Sequence, residues 1–137
     1  MDYPKFQYPL VIREAHLDTF GHVNNATYLQ ILEEARWELI TSRGYGVDKI
    51  RESGLGPTIL EWQMRFRKEL RLREKIVIET QGLAYNKKIG TLKQTILNEK
   101  GELCFEATMT FALFDVHARK LVEATPDWLK AIGMETN

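Results

Sequence analysis

From Asn25 onward, apolar side chains at Tyr28, Ile31, Leu32, Ala35, Leu39 and Ile40 recur at spacings of three and four, with Gln30, Glu33, Glu34, Arg36 and Glu38 between them. That spacing predicts one amphipathic helix of about five turns. Asn24 or Asn25 supplies a short amide that can accept from the unpaired N–H groups of the first turn, and Gly44 supplies a stop. A helix with such a stripe must lay it on a partner surface, and most of the remaining sequence reads as sheet. Residues 5–13 carry Phe6, Tyr8, Leu10 and Ile12 at period two, with Pro9 pointing to an edge or irregular position. Residues 58–69, 75–86, 90–98 and 102–114 follow as four further strands, joined in part by short glycine-containing hairpin turns at 86–90 and 98–101. Shorter helical segments are expected at 47–53, closed by Gly54 and Gly56, and at 126–132, which begins on Pro126 and ends at Gly133. Strand, long helix and four consecutive antiparallel strands describe an α+β layer structure, a curled five-stranded sheet wrapped around a single long helix.

With no internal repeat and no linker long enough to divide it, the 137-residue chain is expected to be one domain over 1–137. Lys and Arg number 19 against 19 Asp and Glu, so the formal net charge is zero. A protein that held nucleic acid or an anionic bilayer through phosphate charge would carry a basic excess, so neither is expected as the principal partner. Zero net charge also gives little colloidal repulsion, which favours hiding surface in an oligomer. The one cysteine, Cys104, lies in the apolar alternation of 103–114; it allows no internal disulfide and no cysteine cluster for zinc, and is expected as a buried core thiol in a reducing cytosol. Residues 1–9 have no apolar h-region and no run approaches ~18 apolar residues, so neither a signal peptide nor a membrane span is expected, and the location expected is cytoplasmic.

The unusual segment is the loop before the long helix. It places Asp18 seven residues ahead of Asn25, with Gly21 between them to allow a positive φ or a close backbone approach. A helix N-terminus offers unpaired N–H groups and a partial positive charge, so a carbonyl placed there would have its developing oxyanion stabilised while Asp18 acted on the carbonyl carbon. The competing reading is that Asp18, Asn24 and Asn25 cap a helix and a turn, and spacing alone favours it, since Asx-rich helix starts are common.

The residues then carry a specific likeness. Asp18-Thr-Phe-Gly-His-Val-Asn-Asn-Ala-Thr-Tyr28-Leu29, followed by Glu33-Glu34-Ala35-Arg36, resembles the signature of hotdog-fold thioesterases of the 4-hydroxybenzoyl-CoA thioesterase type. His22-Val-Asn-Asn25 followed by Tyr28 is similar to the corresponding loop of plant acyl-ACP thioesterases. Arg67-Lys-Glu-Leu-Arg71, ahead of the strand at Lys75, resembles the entry to the family's third strand, with Arg73-Glu74 in place of the usual Gly-Asp. The family's element order is followed over about residues 6–125.

The resemblance implies a hotdog fold around helix 25–43, a homodimer or homotetramer with active sites at the dimer interface, and hydrolysis of acyl-CoA to a free acid and CoA without metal or cofactor. It implies that Asp18 acts as nucleophile through an acyl-enzyme anhydride or as general base for water, and that the Asn25 backbone N–H polarises the thioester carbonyl. The reversal in favour of Asp18 rests on that likeness. Many relatives carry an acid two positions earlier, where this chain has His16, which either points away or pairs with Asp18; the former is favoured. Gly21, His22 and Tyr28 are candidates for contact with substrate. Hydrogen bonding to the loop backbone competes with a catalytic part for His22, as core packing competes with lining the acyl pocket for Tyr28. Zinc at His16, Asp18 and His22 suits the residue types and is set aside in favour of a metal-free reaction. Glu33 and Arg36, spaced i, i+3, are expected to form an ion pair. Cations for the phosphates of CoA are sought among Arg65, Arg67, Lys68, Lys87, Lys88, Arg119 and Lys120, with Lys87 and Lys88 preferred. The rival functions are a non-catalytic acyl-thioester binding module, an acyl-ACP thioesterase, and a hotdog hydratase or dehydratase. Phe20, Tyr28, Trp62 and Tyr85 leave aliphatic and aromatic acyl groups both open.

Overall fold

The structure, a computed structural model, describes residues 2–135. The long helix α1 runs Asn25–Ser42 and buries Tyr28, Ile31, Leu32, Ala35 and Ile40. Asn24 is its N-cap: the side chain accepts from Ala26 N at 2.8 Å. The helix stops where expected, with Gly44 at φ +90° just beyond Arg43 and Tyr45 N donating back to Ile40 O at 2.8 Å.

Around α1 curls one antiparallel sheet of β1 (Lys5–Val11), β2 (Leu55–Phe66), β3 (Lys75–Asn86), β4 (Ile89–Leu97), β5 (Leu103–Asp115) and β6 (Lys120–Val122), in the order β1-β3-β4-β5-β2 with β6 also paired to β5. Helices α2 (Val47–Ser53) and α3 (Pro126–Ala131) complete the chain. This is the hotdog arrangement expected, with two corrections. The sheet has a sixth strand, too short to show alternation in sequence. It is set up by the turn after β5, where Asp115 Oδ1 accepts from His117 N at 2.9 Å and Ala118 N at 3.0 Å and Arg119 takes φ +58°. Strand β2 begins at Leu55, three residues before the expected start, with Pro57 tolerated because the strand lies at the sheet edge. Leu60 is the extra residue of a bulge, since Ile59 pairs with Phe111 and Glu61 with Thr110. That bulge is why both Ile59 and Leu60 fit the alternation of β2.

Two apolar clusters lie between α1 and the sheet, one around the N-terminal half of the helix with Ile78, Ile96 and Phe105, the other toward its C-terminal end with Phe111, Trp128 and Met134; Trp62 packs against both. Cys104 is fully buried in the first, as expected, and burial pushes its thiol up. Gln94, at 0% exposure, is the polar exception. Its amide nitrogen donates to Leu32 O at 3.1 Å and Thr80 Oγ1 at 3.0 Å, and its Oε1 accepts from Arg36 Nη1 at 3.0 Å. One side chain on β4 thus fastens the helix to the sheet, and Arg36 is bound there rather than in the expected pair with Glu33. Gln94→Leu leaves a half-buried guanidinium and the Thr80 hydroxyl without their partner, so it should lower the unfolding free energy by about 3 kcal/mol in urea denaturation; a loss below about 1 kcal/mol would show that water replaces the amide.

Candidate active site

The loop between β1 and α1 is held together by Asp18. Its Oδ1 accepts from Phe20 N at 2.9 Å and His22 N at 3.1 Å, and its own N–H donates to His22 O at 2.8 Å. A bridge between Leu17 and Val23 closes the base, and Gly21 at φ +80° takes the left-handed corner that favours glycine. Both sequence readings of Asp18 therefore bear on one side chain. Oδ1 builds the turn, while Oδ2 has no hydrogen-bond partner among the described residues.

The first turn of α1 divides its N–H groups in a similar way. Ala26 N is capped by the Asn24 and Asn25 side chains, and Thr27 N and Tyr28 N donate to Asn24 O. The Asn25 N–H has no partner among the described residues. It opens onto a surface pocket of about 340 Å³ lined by His22, Val23, Asn25, Tyr28 and residues 66–69. Tyr28 satisfies both of its readings: it lines this pocket and is buried, with ring centroids 4.9 Å from both Phe66 and Phe105, and burial pushes its hydroxyl up. His22 Nδ1 lies 3.1 Å from Glu69 Oε1. Glu69 carried no signal in the sequence, because it comes to His22 only through the turn after β2. Asp18 is not in the lining of this pocket; it stands behind it, holding the loop that carries His22.

His16 points away from Asp18, as favoured: its Nδ1 accepts from Arg13 N at 2.9 Å. With His16 and His22 turned to different partners, no three His, Cys, Asp or Glu side chains gather as a metal site among the described residues. Arg67 and Lys68 line the pocket but are paired with Glu106 and Glu102. Lys87 and Lys88 are not brought to Asp18 within one protomer. They form the β3–β4 turn, while the Asp18 loop follows Val11, which pairs with Lys75 at the opposite end of β3. Twelve residues of strand separate the two ends, roughly 40 Å at ~3.3 Å per residue.

The comparisons with known proteins agree with this architecture. Residues 12–132 match the thioesterase-like superfamily. Long-chain acyl-CoA thioesterase FadM of Escherichia coli (strain K12) is 30% identical over 115 residues, spanning 83% of this chain and 86% of that protein. The chloroplastic acyl-acyl carrier protein thioesterase ATL3 of Arabidopsis thaliana is 36% identical over 72 residues, 53% of this chain and 38% of that one. A Staphylococcus aureus protein whose structure was solved in complex with CoA shares the fold, with a TM-score of 0.87 at 18% identity over 100% of this chain and 90% of its own. The family match takes in the Asp18 loop, α1 and the sheet from β2 to α3, and the likeness to FadM runs through most of both proteins: this chain belongs to the thioesterase-like superfamily.

Proposed function

We propose that the chain hydrolyses acyl-CoA thioesters to a free carboxylic acid and CoA, with Asp18 as the acting carboxylate and the Asn25 N–H as the donor to the carbonyl oxygen. The observation that carries this reading is the unpartnered Asn25 N–H at the head of an eighteen-residue helix, opening onto a pocket beside the loop that Asp18 holds. Charge developing on a thioester oxygen there meets both that N–H and the positive end of α1. One such donor is typically worth on the order of 10²–10³ in rate. Asp18 Oδ2 then either attacks the carbonyl carbon, giving an anhydride that water opens, or takes a proton from the water that attacks. In both routes the C–S bond breaks and sulfur leaves as a thiolate. With a pKa near ~8.5, that leaving group needs little help from a general acid near neutral pH. One carboxylate and one backbone donor are chemically sufficient, and the reaction so written uses no metal or cofactor.

The working unit in this reading is at least a homodimer joined along β2. That strand is the free edge of the sheet, twelve residues long, and Leu60, Met64 and Phe66 are 47%, 40% and 51% exposed on it. A long apolar edge is a template for pairing with another strand. If two copies pair antiparallel there, the Phe66 end of one protomer, next to its Asp18 loop, meets the Leu55 end of the other. Lys87, Lys88, Arg119 and Lys120 lie at that Leu55 end, so the partner would supply the cations for the CoA phosphates.

The test is thiol release from a panel of short-, medium-, long-chain and aryl-CoAs. Hydrolysis of at least one, at a kcat/KM above about 10⁴ M⁻¹s⁻¹, is the expected result. Tight binding without thiol release would instead make the chain an acyl-thioester binding module, and activity confined to acyl carrier protein thioesters would move the carrier.

A further inference from the structure

A second cavity, of about 130 Å³, lies between the C-terminal half of α1 and the sheet. An apolar space of that order takes a guest of benzene size. Its wall is mostly apolar, with Ile40, Leu92, Met109 and Phe111 among the lining residues, which suits methylene groups. The exception is Arg36. Its guanidinium lines the cavity, stacks 5.2 Å from the Trp62 ring and donates one hydrogen bond, to Gln94 Oε1. No carboxylate lies within ion-pair distance of it among the described residues, and burial lowers its pKa to about 10. A guanidinium has five N–H donors, and a half-buried one facing an apolar cavity leaves donors without acceptors. A bare hydrocarbon in this cavity would keep them unsatisfied. A carboxylate would satisfy them but would meet Glu33, which also lines the cavity and whose charge already favours the Arg36 cation.

We propose that this cavity is the subsite for an acyl chain that carries a neutral oxygen remote from the thioester, a hydroxyl or ketone accepting a hydrogen bond from Arg36. The assignment rests on the hydrolase reading above and names its substrate class. Pro57 and Ile59 of β2 form part of the cavity lining, so the antiparallel seam described above brings its mouth to the partner's Phe66 end and the loop beside it.

The experiment is kcat/KM on acyl-CoAs of one chain length: unsubstituted, hydroxylated at successive positions, ketonic, and carboxylated at the far end. The wild-type protein should prefer one hydroxyl or keto position over the unsubstituted and carboxylated chains. Arg36→Met should cut that preference roughly ten- to hundredfold, through loss on the oxygenated substrate with the unsubstituted one unchanged or faster. Should Arg36→Met fail to fold, Arg36→Lys, which keeps the charge but not the planar fork, should narrow the same ratio. An equal fall on both substrates, no preferred oxygen position, or preference for the carboxylated chain would overturn the assignment. Thermal stabilisation by the free hydroxy acid against the plain acid of equal length, in wild type and variant, reads the cavity without hydrolysis. If no thioester is cleaved, the hydrolase reading falls while this comparison still decides the cavity: a larger shift with the hydroxy acid, lost in the variant, supports it, and equal shifts overturn it.

Discussion

Asp18→Asn is expected to lower thioester hydrolysis by several orders of magnitude while moving the thermal midpoint by no more than a few degrees. The two halves of that expectation come from different oxygens. Oδ1 accepts the Phe20 and His22 N–H groups that shape the loop, and an asparagine Oδ1 accepts the same pair. Oδ2, which has no partner among the described residues, is replaced by an amide nitrogen that can neither attack a carbonyl nor take a proton from water near neutral pH. Asp18→Ala is the less informative change. It removes the acceptor for two loop N–H groups as well as the carboxylate, so its loss of activity mixes a missing reactant with a displaced loop. Paired thiol-release rates and melting curves for the two variants separate these effects. Near-normal turnover in Asp18→Asn with an intact melting curve would remove Asp18 from the chemistry and return it to the capping role that spacing alone favoured.

The parts of this structure that were legible in the sequence are those fixed by local physics. The stripe on α1, its Asn24 cap and its Gly44 stop are all set within a few residues of each other, and the alternation of β3, β4 and β5 follows from one face being buried under that stripe. The Asp18 turn belongs to the same class, since its partners lie two and four residues away. What escaped depends on contacts between distant segments. Glu33 and Arg36 have the spacing of a surface ion pair, yet a glutamine fifty-eight residues further on takes the guanidinium, because the same helical turn faces a buried polar position on β4. Glu69 reaches His22 across forty-seven residues. Strand β6 is three residues long, too short for a period to show, and exists because Asp115 folds the turn ahead of it back along β5. Lys87 and Lys88 were preferred for the phosphates of CoA by charge and turn chemistry. Their place at the far end of β3 from the Asp18 loop turns that preference into a statement about a second copy of the chain.

Leu60→Asp combined with Met64→Asp is the variant that tests that second copy, and it is expected to yield a monomer with hydrolysis reduced at least a hundredfold. Both side chains are exposed on the edge strand, at 47% and 40%, and neither belongs to the buried core clusters, so the charges should leave the monomer's fold and sheet signal unchanged. In an antiparallel β2 seam the same positions would be covered by the partner's strand, where two unpaired carboxylates on each side must be desolvated against each other. The penalty for burying unpaired charge is several kcal/mol per ion, enough to shift a micromolar dimer to a monomer at any practical concentration. Activity is lost with the dimer in this reading because the cations and the acyl cavity reach the Asp18 loop only from the partner. Sedimentation velocity, circular dichroism and thiol release on one preparation read all three quantities. A doubly substituted protein that stays dimeric would move the interface away from β2, and a monomer that hydrolyses at the wild-type rate would make the site complete within one chain.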